Sequence, residues 1–491
     1  MHRALVVSEV LLEIFAYLDP TLLLSWPGKR WLSLAALART CKTFHEPAMD
    51  LLWADVDGMA PLLGCVPRLH PLIYPLGTKC CSGWSQGVEP LSEHEARQFL
   101  LHAARVRSIS RTCDDGYFHL LTVLRTEACV FPKLRVLEWS NLRDTSLLHL
   151  FLSPVLRRCA LPVFHSDLKS IATSCPLLEN LSILTPAAHI SNELSLLSDI
   201  IRSYKWLVDL RCPHLDFAAW KHLSNLPTLL TVRIHERDIH HPMDWDHLYS
   251  AHFFNLTTLT FCVNTSADVI TVMQHSKFPL LQEFRLVVAV LSWVDAQQLF
   301  RVLPLCNACE TLEHIEISSY NQGNDELSNM PFTAVGHFLC FSQLRSLRLS
   351  ICYPIYVNND LLLEAMSSWS HMRRLELRDA LPTVTFRGLF TALRKCPHLH
   401  TLLLPMDAAN IDVDSDSEAE SFQHTSLRTW NVGDSYIEDP GSIARIIFSM
   451  LPSIGRIDYD AYALHPWHEV NKSLDALAAR RSLITEAAPT T

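Results

Sequence analysis

Apolar and polar positions along the chain follow one short pattern, Leu-x-x-Leu-x-Leu, which recurs from Leu134 almost to the C-terminal end. Its copies begin at Leu134, Leu156, Leu178, Leu207, Leu229, Leu256, Leu281, Leu312, Leu344, Met372, Leu399, Leu427 and Ile454. The alternation predicts a short strand in each copy, because side chains alternate across a strand. The first, fourth and sixth residues then face the core, and the third and fifth face away from it. Many copies follow a proline or an aromatic residue, as in FPKL, CPLL, LPTL, FPLL, CPHL and LPSI, which ends a preceding helix. The intervening segments carry helix-start signals. Ser292 stands three residues before Asp295 as an N-cap, and Asp439 precedes Pro440 at a first helical position.

The thirteen copies repeat at a mean of about 27 residues, within the range of leucine-rich repeats. A strand-loop-helix unit of that size cannot bury both apolar faces alone and stacks on its neighbours. The predicted fold is therefore an α/β leucine-rich-repeat solenoid over residues 106–462, with parallel strands on the concave face and helices outside. A doubly wound sheet is the alternative, but its strands would be fully apolar and joined by glycine-containing turns. The consensus asparagine is missing after most strands, so the repeats are irregular. Val106–Ser110 is a degenerate first strand, and Ser92-x-x-Glu95 is a capping box opening the helix before it. Residues 407–423 form an acidic loop, and residues 463–491 a C-terminal helix, over Val470–Leu483, and a tail.

Residues 1–58 depart from the repeat. Val7, Val10, Leu11, Ile14, Phe15 and Leu18 form one wide apolar helix face with Ser8 placed to cap it. A second helix carries Leu34, Leu37, Cys41 and Phe44, and a third starts at Pro47 and runs to Trp53. Three helices this short bury little area and complete their core on a partner or on the next domain. Residues 59–105 hold a proline-rich connector, a linker or irregular cap with Pro61, Pro67, Pro71, Pro75 and Pro90, and then the capping helix.

LVVSEVLLEIFAYLD followed by LSLAALARTCKTF resembles the F-box, and EPAMDLLW after it is similar to the extension found in F-box proteins of mushroom-forming fungi. Ser8 stands where that family usually has proline, and Thr21–Trp31 resembles an insertion between the first two helices. The resemblance implies a substrate receptor of a cullin-type ubiquitin ligase. Its F-box, through Val7, Val10, Leu11, Ile14, Phe15, Leu18, Leu34, Leu37 and Phe44, would grip a Skp-type adaptor and through it a cullin, while the repeats hold a protein substrate. A leucine-rich-repeat scaffold whose N-terminal helices merely cap the solenoid is the rival.

Composition narrows the function further. Only 13 glycines occur, and neither a Walker loop nor a G-x-G-x-x-G turn is present, so a glycine-rich nucleotide cradle is not expected. The net charge of −10 disfavours nucleic acid and anionic membrane as partners. No apolar run approaches the roughly 18 residues of a membrane span, and glutamates at 9 and 13 interrupt the N-terminal apolar stretch, so no signal peptide is expected. Fifteen cysteines at irregular spacing fit free thiols in the cytoplasm or nucleus. Sequons at Asn180, Asn255, Asn264 and Asn471 should then be unused.

Catalytic and metal motifs are weak, and no cofactor and no covalent chemistry are expected. Gly83-Trp-Ser85-Gln-Gly87 matches the hydrolase elbow, but that device needs a strand directly before the serine and a helix directly after it. Cys306-x-x-Cys309 lacks a second pair. Asp412, Asp414, Asp416, Glu418 and Glu420 alternate like a calcium loop, yet Ser417 and Gln423 stand where glycine and glutamate are required. Ser415, Ser417 and Ser421 in that loop are potential phosphate acceptors. His240-His241 and His465-Pro-Trp-His468 have no further ligands at useful spacing.

The informative constellation is the row of fifth strand positions. Arg285, Glu316, Arg348 and Glu376 alternate in sign and form a self-neutralising ladder. Arg211 and Arg233 are successive like charges in that row, so an acidic or phosphorylated protein partner is one explanation and solvated arginines the other. Arg211, Arg233, Arg285 and Arg348 are the candidate substrate-binding residues.

Overall fold

The computed structural model describes residues 27–75, 84–110, 117–126, 129–139, 147–164, 169–186, 191–235, 251–322, 331–413, 422–460 and 466–487. The helix face of Val7, Val10, Leu11, Ile14, Phe15 and Leu18 lies outside these residues, as do Ser8, His240, His241, His465 and 414–421 of the acidic loop. The chain divides into two units, Met1–Ala219 and Trp220–Thr491.

In the first unit, helices Pro27–Ala38 and Lys42–Leu52 bury Leu34, Ala38 and Ala48, with Leu37, Phe44, Met49, Leu51 and Leu52 packed against them. The break between the helices falls at Arg39–Cys41, where the Thr40 hydroxyl donates to Leu37 O at 2.7 Å. Sequence places that break at Pro47 instead, but Pro47 sits inside the second helix. Its missing N–H forfeits one backbone bond. Ala48, Leu51 and Leu52 continue the face begun at Phe44, and their burial keeps the helix going.

Strands β1 (Asp55–Asp57), β2 (Ser108–Ser110), β3 (Val136–Glu138), β4 (Arg158–Phe164), β5 (Asn180–Pro186) and β6 (Asp209–Cys212) then pair in parallel, each with the next. β1 is unforeseen by the repeat pattern. Between it and β2, short helices Ala60–Leu63 and His70–Ile73 and the helix Glu93–Ala103 form a packed coil. Met59, Leu62, Leu63, Val66 and Leu69 are completely buried there, so the prolines 61 to 75 shape a packed cap rather than an open linker. The Ser92 capping box is formed, and Arg68 closes on Glu95 with its Nε 2.8 Å from Oε1. That hydrogen bond, more than any other contact, holds the Glu95 carboxyl down at about 2.

The second unit stacks β7 (Thr231–His235), β9 (Thr258–Val263), β11 (Glu283–Leu291), β12 (His314–Gln322), β13 (Ser346–Ser350), β14 (Arg374–Leu377), β15 (Thr401–Leu403), β16 (Thr429–Asn431) and β17 (Ile457–Asp458), parallel and in register. β8 (Ala251–His252) pairs separately with β10 (Ser276–Lys277). The pattern residues fill the core. Leu344, Leu347 and Leu349, then Met372, Leu375 and Leu377, are fully buried. Each such side chain contributes about 1.5–3 kcal/mol on leaving water. Ser292 and Asp439 cap their helices as their positions predict, Asp439 accepting from the amides of Gly441 and Ser442. Helix Trp467–Ala487 packs on Pro440–Met450. Its Asn471 accepts from Ile457 N at 2.8 Å and donates to Ile457 O at 2.9 Å. The amide of this sequon residue is thus consumed within the fold.

The molecule is an α/β leucine-rich-repeat solenoid with helices at its N-terminus. Among the described residues, no helix is long and apolar enough to cross a membrane.

Candidate functional site

The N-terminal helices are spliced into the first coil of the repeats. Arg105, at the end of helix Glu93–Ala103, reaches back to Asp50 at 2.5 Å and Glu46 at 2.6 Å on helix Lys42–Leu52. The Trp53 ring lies 4.6 Å from His102, whose basicity is lowered first by burial and then by the Arg105 charge. Ala54 O accepts from the amides of both Arg107 and Ser108 at 2.8 Å. Helix and first strand therefore move as one piece. Of the expected adaptor contacts, Leu34 is a core residue, with Leu37 and Phe44 half-buried against it. Leu32, 72% exposed, is a large apolar side chain on the same helix.

The fifth-position row is realised within each unit. Glu138, Ala160, Ser182 and Arg211 are successive partners in the first, and Arg233, Thr260, Arg285, Glu316, Arg348 and Glu376 in the second. Glu316 receives Arg285 at 3.3 Å and Arg348 at 3.4 Å, and Glu376 receives Arg348 at 3.2 Å and Arg374 at 3.6 Å. Arg285 and Arg348 are accordingly paired in place, as the ladder reading expects. Arg211 and Arg233 fall in different units. Arg211 is half-buried, with a buried Nε that lacks a hydrogen bond.

The weaker motifs resolve into structure. Ser85 lies completely buried in the turn Trp84–Gly87, and the chain stays irregular from there to Ser92, so no helix follows it as an elbow requires. Cys306 donates to Leu303 O, and Cys309 stands 3.5 Å from Cys340 of the next repeat. Burial pushes the Cys306 thiol up to about 11 and the Cys340 thiol up to about 12, which makes both poor thiolates. Asp412 accepts from the Arg387 amide, a structural contact. Among the described residues no group of three or more His, Cys, Asp or Glu is placed to hold a metal.

One cluster escapes the row pattern entirely. Arg345, His371, Arg373, His398 and His400 line a cleft of about 210 Å³ at the entrances to β13, β14 and β15. Arg345, Arg373 and His400 each immediately precede a strand, and His371 and His398 each stand two residues earlier in the turn. The backbone stacks them: Arg373 N donates to Arg345 O and His400 N to Arg373 O, both at 2.8 Å. Arg345 Nε lies 3.0 Å from Glu313 Oε2, but off the hydrogen-bond direction, and remains unbonded and buried.

A family model described as F-box-like matches residues 8–58. Among solved structures, a crystal structure of a TLR13–ssRNA13 complex is similar at 11% identity and a TM-score of 0.29, covering 76% of this chain and 54% of that one. A crystal structure of the APL1 leucine-rich repeat domain is similar at 13% identity and a TM-score of 0.27, covering 74% of this chain and 76% of that one. The chain thus spans about half the length of the first of these. No curated protein matches it.

Proposed function

We propose that this chain is the substrate-recognition subunit of a cullin-type ubiquitin ligase, of the kind resembling fungal F-box proteins. The N-terminal helices bind a Skp-type adaptor, and the repeats hold a protein substrate in the cytoplasm or nucleus. The chain itself performs no covalent chemistry; it sets the distance between adaptor and substrate. The F-box-like match at residues 8–58 is the observation that carries this reading. The Arg105 clamp supports it, because a receptor that presents substrate to a distant enzyme needs a stiff joint between its two binding parts. The same splice favours a second reading, a repeat scaffold whose N-terminal helices only cover the first coil.

Co-purification separates the two. Full-length chain should capture the adaptor, and the double variant L11D/I14D should lose it while its repeats melt as before. Capture that survives the double change would overturn the receptor reading.

A further inference from the structure

We infer that the cleft of Arg345, His371, Arg373, His398 and His400 is a binding site for a phosphate group. Among the described residues, the five lining side chains are all arginine or histidine, and none is acidic. They gather from three consecutive repeats in a chain whose net charge is −10. Like charges crowded at the spacing of parallel strands, about 4.8 Å, oppose one another and add nothing to the fold. Among the described residues, Glu313 alone forms an ion pair with one of the five, and it meets Arg345 from the neighbouring repeat without a directed bond. Arg373 makes no ion pair among the described residues.

The geometry suits a tetrahedral anion. His400 Nδ1 is 2.9 Å from Ser426 O, which can only accept. Nδ1 therefore carries the hydrogen, which leaves Nε2 outside that hydrogen bond. The planar forks of Arg345 and Arg373 match phosphate oxygens in a way that a lysine would not. Neither arginine belongs to the ladder of Arg285 and Arg348, so this site is independent of the strand row and of the adaptor helices.

Titration calorimetry of the full chain tests the proposal with two probes. One is inorganic phosphate; the other is a glycine-flanked phosphoserine peptide, with its unphosphorylated twin as control. Saturable one-to-one binding is expected with at least one probe. R373A/H400A should weaken it at least tenfold, and R285A/R348A should leave it within twofold. Both residues of the first pair are exposed, and a cooperative melt without phosphate verifies that this variant is folded. A peptide bound tenfold tighter than free phosphate assigns the group to a phosphorylated protein, and equal affinities assign it to the free ion. Absence of saturable binding to either probe, or full binding by folded R373A/H400A, overturns the site. Adaptor capture is scored separately, so neither reading falls with the other.

Discussion

Two columns of charge run through the same repeats and are solved differently. On the strands, Arg285, Glu316, Arg348 and Glu376 alternate and close into ion pairs of 3.2 to 3.4 Å. At the strand entrances, Arg345, Arg373 and His400 follow one another with no acid between them, and among the described residues Glu313 alone forms an ion pair there. Stacked repeats copy each position into the next at a fixed spacing, so any charged position becomes a column. A column that alternates serves the fold. One that does not alternate is a cost to the fold unless something outside the chain meets it.

Charge reversal should make the two columns respond with opposite sign. R348E would set three carboxylates in a row and lower unfolding free energy by about 1–2 kcal/mol in urea titration, from two lost pairs and two like-charge contacts. A paired glutamate in the first unit calibrates that number. E95Q should cost about 1 kcal/mol, since it removes the charge of the Arg68 pair while the glutamine oxygen still accepts from the Ser92 amide in the capping box. The Glu95 carboxyl titrates near 2 in the fold against 4.5 ordinarily, so its contribution is complete above 4.5 and drains away as pH falls towards 2. The stability gap between wild type and E95Q should close across that window. R373E, by contrast, should leave stability unchanged or raise it by up to about 0.5 kcal/mol, because it relieves its neighbours. A loss as large as that of R348E would show that Arg373 is matched after all. The smallest effect is that of salt: going from 50 to 500 mM NaCl should narrow the R348E penalty by a few tenths of a kcal/mol as the ladder is screened.

Sequence showed the ladder and missed the cleft for one reason. The strand period assigns third and fifth positions to the outward face, so Arg285 to Glu376 align from the alternation of apolar and polar residues alone. Arg345, Arg373 and His400 occupy the second position, and His371 and His398 the turn, where no period tells which way a side chain points. Strand placement was legible because Leu344, Leu347 and Leu349 and their equivalents are local and apolar. Capping was equally legible at Ser92, Ser292 and Asp439, where a short polar side chain meets the amides two or three residues on. β1 was not: Asp55-Val-Asp57 offers one apolar residue, and its strand identity comes from register with Ser108–Ser110, a contact across the intervening coil. Pro47 misled because its missing N–H signals a helix start, while the burial that overrules it depends on Leu34 in another helix.

Asn471 has a consequence beyond satisfying one residue. A terminal strand in a parallel array exposes a row of amides and carbonyls that another chain can use as a template, the route to end-to-end polymers and aggregates. In this chain a side-chain amide takes the place of the missing next strand, offering Ile457 both an acceptor and a donor. The Trp467 indole, donating to Ser435 O at 2.8 Å, fixes the helix that delivers it. The outward amide and carbonyl of Ile457 are thereby taken, and a second copy pairing on this strand would first have to displace Asn471.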